Sequence, residues 1–492
     1  MFLRKIKQFQ GDEEGGVLVF IAICLVVIVG MAAITFDLGR LAATQGDLQS
    51  YVDHVALAAA GELDGEDDAI TRATNAAAAM IRDRQTFADG GSDLGSSLDY
   101  SLRFLSGLPA VDTASVTPFA TTNAADAAYV EVTATPRTVF LPFARAMNAL
   151  LGAGLPNDQV GAVAIASFTQ YACDITPLMF CLPSPNYTAD ANIGHTILLR
   201  SGGQGAGWGP GDFGFLDPSK VKVNPEGPCG GLKGVNLDAC LIAAAGNITQ
   251  CFSQHGVDIE PGQKVGIENA IFNTRFDMFN GIMSGKRNSP EYGPGPHVIK
   301  GLIRGGGGGG NQCVGNNAAS SPDSMPFPPD DCFATGCSGN GRFGDGNWGN
   351  GRTSYVAMNH DGTDPALGKT TRYQMYLEEI KAAGGPSASS PILNGKSETG
   401  RRQCSNTTVP DPDRRVFIAA GIDCTANPIN GAAKDVPVEE FFKIFLLRPV
   451  GDSTTSPPKF DLWVEVVGSA GGNGAGSSTL GGRFRDVVEL VR

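Results

Sequence analysis

The rhythm of hydrophobic positions changes along the chain. Residues 15–36 (GGVLVFIAICLVVIVGMAAITF) carry no charge and are bounded by Glu14 and Asp37. As a helix rising ~1.5 Å per residue, this run covers about the 30 Å depth of a bilayer core. A helical stripe follows. Leu38, Leu41, Gln45, Leu48, Val52, Val55 and Ala59 recur at steps of three and four, while Asp37, Arg40, Asp47, Gln49 and Asp53 take other faces. Gly61 and Gly65 supply a stop. The pattern predicts one rod, half in lipid and half in a folded domain. A second, alanine-rich helix is expected over 66–84, with Ile70, Ala73, Ala77, Met80 and Ile81 as its apolar side.

Period-two alternation then marks strands at 98–104 and 129–135, and 161–168 is a short buried-looking run. Between the last two, 139–151 reads as a short helix with a proline near its start. Residues 37–170 thus read as two helices on a small, mostly antiparallel sheet. From Cys173 onward the composition shifts to cysteines and glycine runs. The glycine hexamer 305–310 and the Pro- and Ser-rich 320–331 read as a flexible excursion or linker. Later elements are a helix at 372–383, strands at 195–199, 415–420, 460–467 and 486–491, and a helical reading of 438–447. No repeat of solenoid or propeller length is present.

Composition narrows the class. Among 492 residues, 66 glycines and 30 prolines are too many for a helical bundle. The 50 acidic and 37 basic side chains give a net charge of -13, which repels phosphate backbones, so no nucleic acid partner is expected. Arg4, Lys5 and Lys7 precede the apolar run and place that flank in the cytoplasm, so the rest of the chain is expected to be exported. A cleaved signal peptide is the competing reading, but the run is long for one and no Ala-x-Ala site follows at once. Cys24 lies inside the run. Ten cysteines lie beyond it: Cys173, Cys181, Cys229, Cys240, Cys251, Cys313, Cys332, Cys337, Cys404 and Cys424. Their even number suits disulfides in an oxidising compartment, with Cys173–Cys181 and Cys332–Cys337 as candidate neighbours and the connectivity open. No Cys-x-x-Cys pair stands beside histidines in zinc-finger order.

Motifs for chemistry are sparse. His54, His195, His255, His297 and His360 are isolated in sequence, and neither His-Glu-x-x-His nor Gly-x-Ser-x-Gly occurs. The glycines at 202–207 lack the Gly-Lys-Ser/Thr ending of a nucleotide loop. The turns at 345–351, with Asp361 and Asp364, are oxygen-rich but lack an EF-hand glutamate, so turn chemistry is favoured over calcium. Trp208, Phe213 and Phe215 among glycines either cap a core or form an exposed binding rim. Asn186, Asn247 and Asn406 open glycosylation triplets. No catalytic, cofactor-binding or metal residue is assigned, and no cofactor is expected.

The first sixty residues resemble the TadE/TadG-like N-terminal module of tight-adherence (Flp) pilus assembly proteins. The resemblance rests on an uncharged span closed by Asp37-Leu38-Gly39-Arg40, then Asp53-x-x-Ala56-Leu57-Ala58-Ala59-Ala60. Segments 173–181, 207–217 and 273–277 resemble stretches of TadG-related envelope proteins. The chain departs from prepilin-like relatives in having no glutamate five residues after Gly16. It also departs from TadG proteins that carry an Asp-x-Ser-x-Ser cation motif. The resemblance implies a single-pass inner-membrane protein with its C-terminal domain in the periplasm. It would serve pilus assembly and adhesion by docking other pilus or secretion components, touching lipid through 15–36. The expected architecture is α+β: stub 1–14, transmembrane helix 15–36, a pilin-like helix-on-sheet unit 37–170, and a disulfide-containing Gly/Pro-rich mixed domain 171–492. The alternative is an anchored cell-wall or carbohydrate-binding module using the Trp208 region or, further off, an envelope hydrolase.

Overall fold

The computed structural model describes residues 16–64, 68–79, 83–88, 93–95, 98–109, 111–152, 158–173, 175–201, 207–217, 223, 225–245, 251–253, 256–260, 268–305, 313–314, 318–452, 460–470 and 483–492. Two compact units emerge. One is the chain up to Thr169 together with Asp486–Arg492; the other is Gln170–Arg485.

In the first unit, α1 (Gly16–Ala60) is a single helix of 45 residues. Its first half is bare: the large apolar side chains from Leu18 to Phe36 are exposed. Its second half is core, with Leu48, Val52, Val55, Ala56, Ala59 and Ala60 fully buried. The sequence stripe holds from Leu48 onward, but Leu38 and Gln45 are exposed, and the buried line begins instead with Asp37 and Thr44. Asp37 is inside because it meets a helix end, described below. α2 (Ala69–Ala78) buries Ala69, Ala73 and Ala77, four-residue steps of small side chains that allow close approach. It is shorter than expected because Asp83–Arg84 pairs as a strand with Asp93–Leu94; Met80 and Ile81 lie outside the described residues.

The sheet of this unit orders β1 (Tyr100–Leu105), β2 (Tyr129–Ala134) and β3 (Val163–Cys173), all antiparallel, with β2 central. Val130 and Val132 face α1, and on the other face Arg103 stands opposite Glu131 at 3.2 Å. Between β2 and β3, α3 (Pro142–Leu151) starts on its proline and ends at Gly152, whose φ of +62° suits the left-handed cap. The C-terminal strand Arg483–Leu490 pairs with β3, and Val491 N–H donates to the Ile165 carbonyl.

The second unit is built on a closed sheet. Its strands are β4 (Leu178–Cys181), β5 (Thr196–Ser201), β6 (Asp212–Phe215), β7 (Val416–Ile422), β8 (Glu440–Leu446) and β9 (Phe460–Ser469). They run in the order β8-β7-β4-β6-β5-β9, and β9 pairs back onto β8, which leaves the six-strand ring no free edge. The β7–β4 and β5–β6 pairs are parallel and the others antiparallel. Alternate side chains, among them Phe180, Leu199, Phe213, Phe417, Ile444 and Val464, share one core cluster inside the ring. Within 438–447 the chain therefore forms a strand, not a helix, because both edges of Glu440–Leu446 are paired and its side chains alternate between the ring's interior cluster (Phe442, Ile444, Leu446) and other clusters (Phe441, Phe445).

Four helices accompany the ring: α4 (Val235–Ala243) and α5 (Glu268–Asn273) join the cluster inside it through residues such as Leu241 and Phe272, whereas α6 (Gly349–His360) and α7 (Arg372–Ala382) pack in a separate cluster with Phe445. α7 starts in a capping box between Thr371 and Gln374 and buries Tyr373, Met375, Tyr376 and Ile380, as its pattern predicts. Segment 320–331 is no linker. Ser324, Phe327 and Asp330 are buried, because Phe327 packs on Tyr355 and both polar residues have fixed partners. Residues 306–310 of the glycine hexamer lie outside the described residues.

Among the described residues of this unit four disulfides are seen: Cys181–Cys424, Cys229–Cys240, Cys313–Cys404 and Cys332–Cys337. The Cys332–Cys337 neighbour pair forms. Cys173–Cys181 does not, because β4 and β7 run parallel with Cys181 beside Ile422, which brings Cys424 within reach. The Cys173 backbone instead stands opposite Cys251 in the strand Cys251–Ser253.

Candidate functional site

The sharpest change of environment along α1 is the point where it passes from bare to buried. There Asp37 is 7% exposed and its carboxylate accepts from Ala144 N–H at 2.7 Å and Phe143 N–H at 3.5 Å. These are the second and third residues of α3. Pro142 has no N–H, and the preceding Leu141 has no side-chain acceptor, so the helix start is satisfied from outside by Asp37. Arg40, one turn on, donates to the Phe140 carbonyl at 3.2 Å and lies 5.0 Å from the ring centres of Phe36 and Phe87. Phe36 meets Phe143 edge to face at 5.6 Å. The Asp37-Leu38-Gly39-Arg40 motif is therefore a clasp that fastens the rod to α3. Further up, Gln45 and Gln49 donate to the carbonyls of Gly161 and Val163, tying the rod to the start of β3. His54 is exposed on α1, on the polar face expected for it.

The second unit gathers charged groups that sequence spacing scattered. Arg372 is fully buried and spans Asp330 at 2.5 Å and Glu465 at 3.0 Å, while its Nε donates to the Pro328 carbonyl. Glu465 also accepts the Arg372 and Tyr373 N–H groups, so one carboxylate holds both a counter-charge and the start of α7. Nearby, Glu379 accepts from Tyr355 and His360 at 2.7 Å each and also meets His297. Burial opposes its ionisation, yet the imidazole contacts prevail and hold its pKa down at about 2. Burial in turn keeps His297 below the usual histidine range, with Arg415 and the Ile299 N–H facing its Nδ1. The neutral ring with its proton on Nε2 satisfies all these contacts. His297 and Glu379 are fully buried, out of reach of solvent, so the cluster has the geometry of a buttress.

Other sequence candidates also prove to be framework. Trp208, Phe213 and Phe215 are buried; the aromatic rim does not exist, and Gly214 is required because a Cβ there would sit 2.3 Å from the Trp208 ring. Asn273, Arg275 and Asp277 are buried as well: Asn273 exchanges bonds with the Val450 backbone, and Asp277 receives the N–H groups of residues 403–405. In the acidic turns, Asp364 pairs with Arg352, Asp361 pairs with Lys396, and Asp345 accepts from Asn347 N–H. Among the described residues no group of three His, Cys, Asp or Glu side chains converges as a metal site. His255 lies outside the described residues. A surface cleft of about 490 Å³ borders Arg401 and Arg402, whose guanidinium groups donate to backbone carbonyls of Ser390, Pro296 and Ser405.

Residues 15–62 match the family model "Putative Flp pilus-assembly TadE/G-like". The match covers α1 and ends just beyond its last turn. No curated protein and no solved structure matches the chain.

Proposed function

We propose that this chain is a membrane-anchored structural component of Flp pilus assembly. In this reading the bare half of α1 crosses the bacterial inner membrane once, the N-terminal flank stays in the cytoplasm, and both units stand in the periplasm. The first unit, pilin-like in its helix-on-sheet plan, and the second dock other pilus or secretion components through their surfaces, without a reaction of their own.

The observation that carries this reading is the division of one helix into an exposed apolar half and a buried half. Leaving large side chains such as Leu25, Ile28 and Phe20 in water forfeits about 1.5–3 kcal/mol each, which a bilayer restores. Helix continuity supports retention over cleavage: residues 31–60 form unbroken helix whose last turns are core, so no extended segment follows the apolar run for a signal peptidase. Disulfides in the second unit agree with an oxidising compartment, and the match over residues 15–62 supports the pilus setting.

The test replaces residues 16–36 with a cleavable export signal, so that 37–492 is released into the periplasm. Piliation should be lost while the soluble units accumulate. Normal piliation in that strain would refute anchored docking.

A further inference from the structure

Where the uncharged run of α1 ends, the first unit presents a second apolar surface. On α3, Phe143 and Met147 lie one turn apart and are 44% and 47% exposed; Phe140, just before the helix, is 40% exposed. The height of this patch along the rod is fixed. Phe143 packs on Phe36, the last residue of the uncharged run, and Asp37, the first charged one, caps α3. Two cations edge the patch: Arg145 lies 4.7 Å from the Phe140 ring centre, and Arg40 lies 5.0 Å from that of Phe36.

We propose that α3 lies in the interfacial layer of the same bilayer that α1 crosses. Phe140, Phe143 and Met147 then sit among the outermost acyl segments, with the guanidinium groups of Arg40 and Arg145 at the depth of the lipid phosphates. Aromatic rings and long cationic side chains favour that layer, where an apolar body and a polar end are both accommodated. The patch is continuous with the lipid-facing surface of α1 through the Phe36–Phe143 contact, which selects lipid as its occupant. The consequence is orientational. A lone span can rotate about its axis, whereas a span with a second lipid contact beside it presents one fixed side of the first unit to its neighbours.

This inference rests on the anchor reading, and one experiment separates the two. A fluorescent aminonaphthyl amino acid is placed by stop-codon suppression at Ile28, Met147 or His54 of the full chain. Each protein is inserted in phosphatidylethanolamine–phosphatidylglycerol vesicles with plain or brominated acyl chains. His54 is exposed and lies ~27 Å beyond Phe36 along the helix, out of reach of acyl bromine. The expected result is about twofold quenching at positions 28 and 147 and none at 54. Quenching at 28 without quenching at 147 overturns the interfacial placement and leaves the anchor standing. An unquenched label at 28 overturns the anchor and the placement with it.

Discussion

The two units solve the problem of a stable interior in opposite ways. In the first, the core is small and aliphatic, built around the alanines and valines of α1, and Asp37 is the only charged side chain buried among its described residues. In the second, Arg275, Arg372, Arg414, Arg415, Glu379 and Glu465 are all buried, and disulfides such as Cys181–Cys424 and Cys313–Cys404 close the surrounding chain. The difference follows from what each interior has available. A long amphipathic helix on a sheet hides its backbone polar groups by itself, whereas the second unit wraps its ring of short strands in irregular chain whose carbonyls need donors. Buried arginines supply them: Arg415 alone donates to the carbonyls of Leu446 and Leu447. Buried charge of this kind fixes geometry more than it adds stability, and it makes the loss of one partner costly.

The largest expected effect is therefore in the second unit. Arg372→Met leaves Asp330 and Glu465 facing each other without a counter-charge and should cost about 3–5 kcal/mol. Denaturant unfolding followed by hydrogen exchange should show the loss confined to residues 170–485. An equal loss in the first unit would erase the proposed contrast. Next, Cys181→Ala with Cys424→Ala opens a link between residues 243 apart and should cost about 2–4 kcal/mol, measured the same way. Reductant should reproduce this loss while leaving hydrogen exchange in the β1–β3 sheet unchanged.

Acid sharpens the comparison further. Unfolded His297 takes up a proton near pH 6.5, whereas the folded ring, held lower by burial, resists it. The unfolded state thus binds more protons, so stability falls as pH drops below about 6.5, by at most about 1.4 kcal/mol per unit from this group. A second loss begins near pH 4.5 and extends towards 2 as unfolded Glu379 protonates before folded Glu379 does. Thermal melts across pH 7 to 4 should move the transition of the second unit downward first. The smallest effect is at the clasp: Asp37→Ala removes the acceptor at the start of α3 and should cost about 1 kcal/mol in the first unit. Asp37→Asn, which retains an acceptor, should recover most of it.

Legibility in the sequence divides along the same line. The rod, the strands β1 and β2 and the helix α7 were readable because each repeats a period over enough residues to be distinctive, and β3 was readable as a short apolar run. The ring was only half readable. β4 and β6 have four residues each, β6 includes Gly214, and a run buried on both faces carries no alternation. Segment 438–447 misled for a related reason, since Val, Phe, Ile and Leu fill both sides of a strand paired at both edges. The buried charges were not readable at all. His297 and Glu379 lie 82 residues apart, and charged residues in a Gly/Pro-rich stretch look like solvated loop until the fold brings them together. Asp37 is the instructive intermediate: the motif was visible, but its partner on α3 lies 107 residues away.

Protease added to intact spheroplasts, with the membrane-retained fragment identified by mass, tests the central claim most directly. The account predicts that both units are degraded from outside while a fragment holding the apolar run and the basic N-terminal flank stays in the membrane. Full protection until lysis, or recovery of a soluble chain that lacks residues 16–36, would contradict it.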